Sequence, residues 1–327
     1  ADGAIDPVGH GTGAFILKQA NGSAGATLER NDKWWGAAPK LETVTLHVLD
    51  DSALGQAFAN KEIDVLDYIF SADVYQQASG RDDAEVRQNT GLQWRHIMFN
   101  ASSGPLADKA VRQAIVRATN REAIATSDLA GLPVDAKKTL MGNRFFLPVQ
   151  EGYVDNSADW SFDVEAAKKL LDGAGWVAGS DGVRAKDGER LELVMTIPTN
   201  APVATNEANL LQKQLGEVGI AITVSTVEID KYFPEYINKK NYAMTAFTTE
   251  NTQYPLSTVG HYYASTSQSN YTGQSVPEVD EHVTKIGSTP DGAERNKLAN
   301  ELDKILWENV FNIPIYQRMQ LTAVPKT

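Results

Sequence analysis

Cysteine is absent from this 327-residue chain, which excludes disulfides and thiolate metal sites. Histidine is scarce. The five residues, at positions 10, 47, 96, 261 and 282, include no pair at the H-x-x-x-H spacing of a helical metal site, so neither a metal nor a cofactor is expected. No apolar run approaches the roughly 18 residues that a bilayer span needs. Basic residues are outnumbered, 30 Lys and Arg against 42 Asp and Glu; the formal charge of −12 repels phosphate and excludes a nucleic-acid partner. The G-x-S-x-G elbow of a hydrolase and the Gly-Lys-Ser/Thr of a phosphate loop are missing too. Nothing in the sequence demands catalysis, and an enzyme is not expected.

What is present is an ordinary globular composition, 42% hydrophobic and 22% charged. The length exceeds what one hydrophobic core serves, which predicts two domains. In PVGHGTGAFILKQ (7–19), Gly9, Gly11 and Gly13 crowd into five positions like a phosphate cradle. A dinucleotide loop opens a helix directly after a strand. Here Ala14 takes the third glycine position and AFILK continues as a strand. Gly11 and Gly13 are therefore expected to serve close backbone approach and unusual dihedrals at the strand entry.

Val44, Leu46 and Val48 alternate within LETVTLHVLD (41–50) and predict a strand. Asp51 or Ser52 then caps a short helix through Phe58, and EIDVLDY (62–68) follows as a strand; this unit implies parallel pairing. LQWRHIMFN (92–100) is a strand with Trp94, His96 and Met98 on one face. The next helix buries Val111, Ala114, Ile115 and Ala118, and Thr119 with Glu122 reads as a capping box for its successor. Residues 132–160 show no period and read as a long surface segment. Asp163 caps a further helix, and Asp187-Gly188 suits a type I′ hairpin turn. From 191 to 248 strands and helices alternate, predicting two βαβ units in an open, mostly parallel sheet with helices on both faces. A long helix over 293–310, with Glu301, Asp303 and Glu308 on a solvated face, precedes the last strand.

Ligands of open α/β sheets sit beyond the carboxyl ends of the strands. Three stretches qualify: DYIF (67–70) with Tyr68 and Phe70, the Trp94/His96/Met98 face, and TTENTQY (248–254). Core packing for the strand face, and plain loop for the polar stretch, stay open as alternatives. Spacing alone leads to a two-domain α/β protein with a cleft.

Six stretches, read in order, resemble the dipeptide/oligopeptide-binding family (family 5) of extracytoplasmic solute-binding proteins of ABC importers. They are PVGHGTGAFIL, LERNDKWWG, ANKEIDVLD, FNASSGPLADKAVRQAIVRATNREAI, AAKKLLDGAGW and QSNYTGQSVPEVDEHV. The resemblance implies an α/β, periplasmic-binding-protein-like fold of type II, with two lobes. Residues 1–98 and a returning strand 312–327 would form part of lobe I, and 99–311 lobe II, in a C-terminal fragment of a bacterial protein. The implied function is capture of a peptide or other small organic solute outside the membrane, in the periplasm or at the cell surface. A monomer would deliver that solute to an ABC permease by hinge closure, with no catalytic residue and no membrane contact beyond a lipid anchor outside this chain.

Peptide-binding members hold the ligand's amino terminus with an Asp in a G-W-x-x-D-x-x-D-P loop. Aligned on Pro255, Thr248 takes the Trp position, Asn251 that of the amine-binding Asp and Tyr254 that of the second Asp, with Glu250 beside them. The resemblance thus adds Thr248, Glu250 and Asn251 to Tyr68, Phe70, Trp94, His96 and Met98 as candidate ligand-binding residues. A neutral amide is a poorer partner for an ammonium group than a carboxylate. An oligosaccharide or glycoside therefore stands as an alternative ligand. A non-transport surface sensor or envelope-biosynthesis accessory protein stands as an alternative role.

Overall fold

The computed structural model describes residues 8–21 and 25–326, so Pro7 of the glycine stretch lies outside the described residues. The chain divides into two compact units. The first comprises residues up to Ile69, then Asp73–Val86, and the end of the chain from Thr322. Its sheet is antiparallel, in the order β1 (Phe15–Asn21), β2 (Gly25–Arg30), β3 (Thr43–His47). Gly9 (φ 74°) and Gly11 (φ 151°) take dihedrals that other residues avoid, and the Gly9 N–H bonds to the Leu17 carbonyl at 2.8 Å. A strand follows them, so the loop offers no helix N-terminus to an anion. Gly13 departs from expectation: the nearest atom to an added Cβ is 3.8 Å away, and its φ is ordinary.

Helix α1 (Asp51–Ala59) follows Asp50, which occupies the N-cap position expected of Asp51 or Ser52. The stretch 62–68 is not a strand. Only Leu66 bridges, to Ala323, while Lys61 (φ 64°) and Tyr68 (φ 57°) interrupt extended backbone on either side. The expected parallel unit is therefore absent among the described residues, and Leu46 and Val48 are exposed rather than half-buried. Helix α2 (Ala72–Ser79) leads into β4 (Ala84–Phe99).

The second unit comprises Phe70–Ala72 and Arg87–Leu321. The units divide inside β4 after Val86 and inside the final strand after Leu321, whereas the sequence expectation set lobe boundaries at 98 and 312. Helices α3 (Lys109–Ala118), α4 (Arg121–Asp128), α5 (Ala136–Thr139) and α6 (Val164–Gly173) precede a small hairpin sheet of β5 (Val177–Ala178), β6 (Arg184–Lys186) and β7 (Glu189–Arg190). Its turn has positive φ at both Asp187 and Gly188, as a type I′ turn requires. Then come β8 (Glu192–Pro198), α7 (Pro202–Gly216), β9 (Ala221–Val227), α8 (Ile229–Lys231), a π turn at 232–237, and β10 (Met244–Glu250). Helices α9 (Val259–Tyr263), α10 (Pro277–Ser288) and α11 (Gly292–Asn309) lead to β11 (Asn312–Pro325).

The main sheet runs β11-β4-β10-β8-β9. β8 pairs in parallel with β9 and β10, but β10 is antiparallel to β4. The sheet is thus mixed rather than mostly parallel, because β4 enters from the first unit instead of through a helical crossover. Ile97, Phe99, Met195, Met244 and Ala246 pack one face against α3, α4, α6 and α7, with Val111, Ala114, Ile115 and Ala118 buried as expected. Asp108 caps α3 by accepting from the Ala110 N–H, and Asp163 caps α6 through the Ala166 N–H. The cap of α4 is Asn120, which accepts from the Ala123 N–H; Thr119 is spent donating to the Ile115 carbonyl, so the expected capping box does not form.

Two further expectations fail together. Every residue of Met141–Leu147 is buried although the backbone there is irregular, so this part of the expected surface segment is core. Asp303, expected in solvent, is fully buried and pairs with Arg144 at 3.0 Å. The Arg144 guanidinium also donates to the Asn312 side-chain oxygen at 2.6 Å and carbonyl at 2.7 Å, and stacks over Trp307 at 4.3 Å. Asn156 donates to the other Asp303 oxygen. Irregular chain can be buried here because side chains satisfy its polar groups: Asn143 accepts from the Phe145 and Phe146 N–H groups.

Candidate functional site

Strand pairing determines which side chains can meet. β4 and β10 align Thr249 with Trp94, Phe247 with His96 and Thr245 with Met98, and these pairs share one sheet face. Glu250 with Gln93, and Thr248 with Arg95, fall on the opposite face. The hydrogen bonds agree. His96 Nε2 lies 2.8 Å from Thr249 Oγ1, whereas an Arg95 Nη donates to Thr248 Oγ1 at 3.2 Å and the Gln93 amide to Glu250 at 3.5 Å.

On the Trp94/His96/Met98 face lies a cavity of about 200 Å³, wholly within the second unit. Its walls are Trp94, His96, Met98, Phe233, Phe247, Thr249, Tyr262, Tyr263, Ser269, Tyr271, Thr272, Phe311 and Asn312, with Thr248 and Glu250 also bordering it. The rings pack on one another. Phe247 meets His96 edge-on at 4.4 Å, Phe233 at 5.5 Å and Tyr271 at 6.2 Å, and Trp94 lies 4.9 Å from His96.

The cavity is electrically quiet. Burial, reinforced by the positive charges of Arg95 and Arg144, lowers the His96 pKa from 6.5 to about 3, so the imidazole is neutral at physiological pH. Arg95 itself is held on the far face by a buried two-point contact with Glu207, and Arg144 by Asp303. Glu250 is the single charged side chain bordering the cavity among the described residues, and it is exposed. No group of three or more metal-ligating side chains occurs among the described residues.

Of the eight candidates, the structure brings Trp94, His96, Met98, Thr248 and Glu250 to this cavity. Asn251 does not line it. Its side-chain oxygen accepts from the Trp94 indole N–H at 2.9 Å, and its amide donates to the Phe145 carbonyl at 2.9 Å, so it fixes the pose of the Trp94 ring. Phe70 lies under the Arg318 guanidinium at 4.2 Å, and Tyr68 belongs to the first unit. Sequence reasoning missed Phe247 and Thr249. The period of two along 244–250 carried that signal, since it sets Thr245, Phe247 and Thr249 on one face. Phe233, Tyr262, Tyr263, Tyr271 and Phe311 come from separate elements, and no local spacing unites them.

Residues 2–273 match the model of bacterial extracellular solute-binding proteins, family 5 Middle. The chain belongs to this family. It is 30% identical over 327 residues to the oligopeptide-binding protein OppA of Mycobacterium tuberculosis, covering 99% of this chain and 54% of that protein. It is 29% identical over 230 residues to the dipeptide-binding protein of Escherichia coli, covering 70% of this chain and 40% of that one. The chain thus spans about half the length of the curated family 5 relatives it matches. Its fold is also that of the periplasmic EDTA-binding protein EppA, with a TM-score of 0.87 at 23% identity, over 96% of this chain and 60% of that one. The Bacillus subtilis oligopeptide-binding protein AppA, solved with a nonapeptide, gives a TM-score of 0.81 at 22% identity, over 96% and 62%. The architecture is therefore that of type II periplasmic binding proteins, of which the chain represents part. Among the described residues no helix is long and apolar enough to cross a membrane.

Proposed function

We propose that this chain is part of the substrate-binding component of an ABC importer, which captures a small organic solute outside the membrane and delivers it to a permease. The division at 98 and 312 into part of lobe I and a nearly whole lobe II is part of this reading. The observation that carries it is the uncharged, ring-lined cavity on the β4–β10 face, in a chain that matches solute-binding proteins along nearly its whole length. Such a cavity holds a ligand by burial and ring contact. Its one hydroxyl beside an imidazole, Thr249 next to His96, faces a base whose pKa is lowered to about 3, too weak to activate a nucleophile at neutral pH, in keeping with a binding site.

Peptides lead the candidate solutes, because relatives named for oligopeptide and dipeptide binding match this chain at 30% and 29% identity. The anchor for a peptide's amino group would be Glu250, since Asn251 is consumed in holding Trp94. The test is a thermal-shift panel of di- to nonapeptides and oligosaccharides on the full-length protein, with mass spectrometry of small molecules released on denaturation. A true ligand at 100-fold its Kd stabilises by about 2.7 kcal/mol, a shift of several degrees. A blank panel, with nothing released, would overturn the reading.

A further inference from the structure

Building on the solute-binding reading, we propose that the cavity is a subsite for one uncharged aromatic ring of the ligand, carrying an acceptor for the Tyr263 hydroxyl, while the ligand's charged groups stay outside. Three observations converge on this. The first is size and lining: about 200 Å³ bounded by Trp94, Phe233 and Phe247, where an apolar cavity of about 150 Å³ already admits benzene. Phe247 makes edge-on contacts with three neighbouring rings, and an entering ring extends the same set.

The second is charge. Alternation along β4 turns Arg95 to the opposite sheet face, where Glu207 neutralises it, and His96 stays neutral on the cavity face. An ion entering the cavity would lose its hydration and meet no opposite charge inside, since Glu250 is exposed at the border. The third is a waiting donor on the most deeply buried of the tyrosines that line the cavity, Tyr262 and Tyr271 being half-buried. Tyr263 is 9% exposed and lines the cavity, its ring contacts are Phe145 and Phe311, and its hydroxyl makes no hydrogen bond among the described residues. Burial raises its pKa, so the hydroxyl keeps its proton and can donate.

The test uses three probes matched in size, benzyl alcohol, benzylammonium and benzoate, on the full-length protein labelled at the methionine methyl carbons. Of the five methionines, Met98 lines the cavity and Met141, Met195, Met244 and Met319 do not, so a ring-current shift of the Met98 methyl localises the probe. Benzyl alcohol is expected to move that signal, with both ions weaker by about tenfold or more. Tyr263→Phe should weaken benzyl alcohol roughly three- to tenfold. If that variant does not fold, benzyl alcohol against toluene on the native protein makes the same comparison. Equal binding of the three probes, or a Met98 methyl that none of them moves, would overturn the subsite. If the peptide and sugar panel still yields a ligand, the subsite alone falls; a blank on both removes the solute-binding reading with it.

Discussion

Replacing Asp128 by Asn should stabilise the protein above neutrality and uncover an acid weakness that the native chain conceals. Asp128 ends α4 with one oxygen accepting from Asn206 at 2.7 Å and the other buried without a partner. Burial, then the nearby Glu207 carboxylate, raises its pKa from 3.8 to about 7. The folded state therefore keeps a proton that the unfolded chain releases between those values. The stability this proton confers is complete below pH 3.8 and is lost as the pH rises to 7, up to about 4 kcal/mol. His96 does the reverse. Its folded pKa of about 3 against 6.5 unfolded gives stability that is complete above pH 6.5 and drains away as the pH falls, up to about 5 kcal/mol. Between pH 4 and 6.5 the two slopes, each about 1.4 kcal/mol per pH unit, cancel.

Asp128→Asn deletes one slope and leaves the other, and its amide puts a donor where an oxygen now lies unpartnered. Urea unfolding followed by circular dichroism at pH 8, 6.5, 5 and 4 reads the result. The variant should exceed the native protein by up to about 4 kcal/mol at pH 8, with the excess gone by pH 4. Parallel profiles for the two proteins would refute the reasoning.

Three other substitutions probe separate features. Asp303→Ala leaves Arg144 buried without its carboxylate and should cost about 3–5 kcal/mol in urea unfolding; a loss below 1 kcal/mol would mean the pair behaves as a surface pair. Gly91→Ala places a methyl 2.6 Å from the Arg318 carbonyl oxygen, and the strain should lower stability by about 1–3 kcal/mol; an unchanged denaturation midpoint would contradict the close approach. Asn251→Ala strands the Trp94 indole N–H and should cost about 1–3 kcal/mol, with faster hydrogen exchange at that indole as the specific sign.

How far the sequence could be read depended on the range of the forces involved. The Trp94/His96/Met98 face, the Asp163 cap and the Asp187-Gly188 turn depend on neighbours within a few residues, and local pattern exposed them. Met141–Leu147 has no period because it is neither helix nor strand. Its burial rests on Asn143 and Arg144 finding partners more than 150 positions away, in Asn300, Asp303 and Asn312. Asp303 looked solvated for the same reason, its partner being invisible along its own helix. At β10, aligning the loop on Pro255 drew attention to Thr248, Glu250 and Asn251. The alternation of the strand, followed to its end, leads to Phe247 and Thr249.

Alternation along β4 and β10 also has an evolutionary consequence. Trp94, His96, Met98, Phe247 and Thr249 can vary without touching Arg95, Ile97, Phe99 or Ala246, because the sheet itself stands between the two sets. Selection can then rewrite what the cavity accepts while the buried ion pair and helix packing behind it stay intact. The same division makes those five positions the natural ones to randomise when a different solute is wanted.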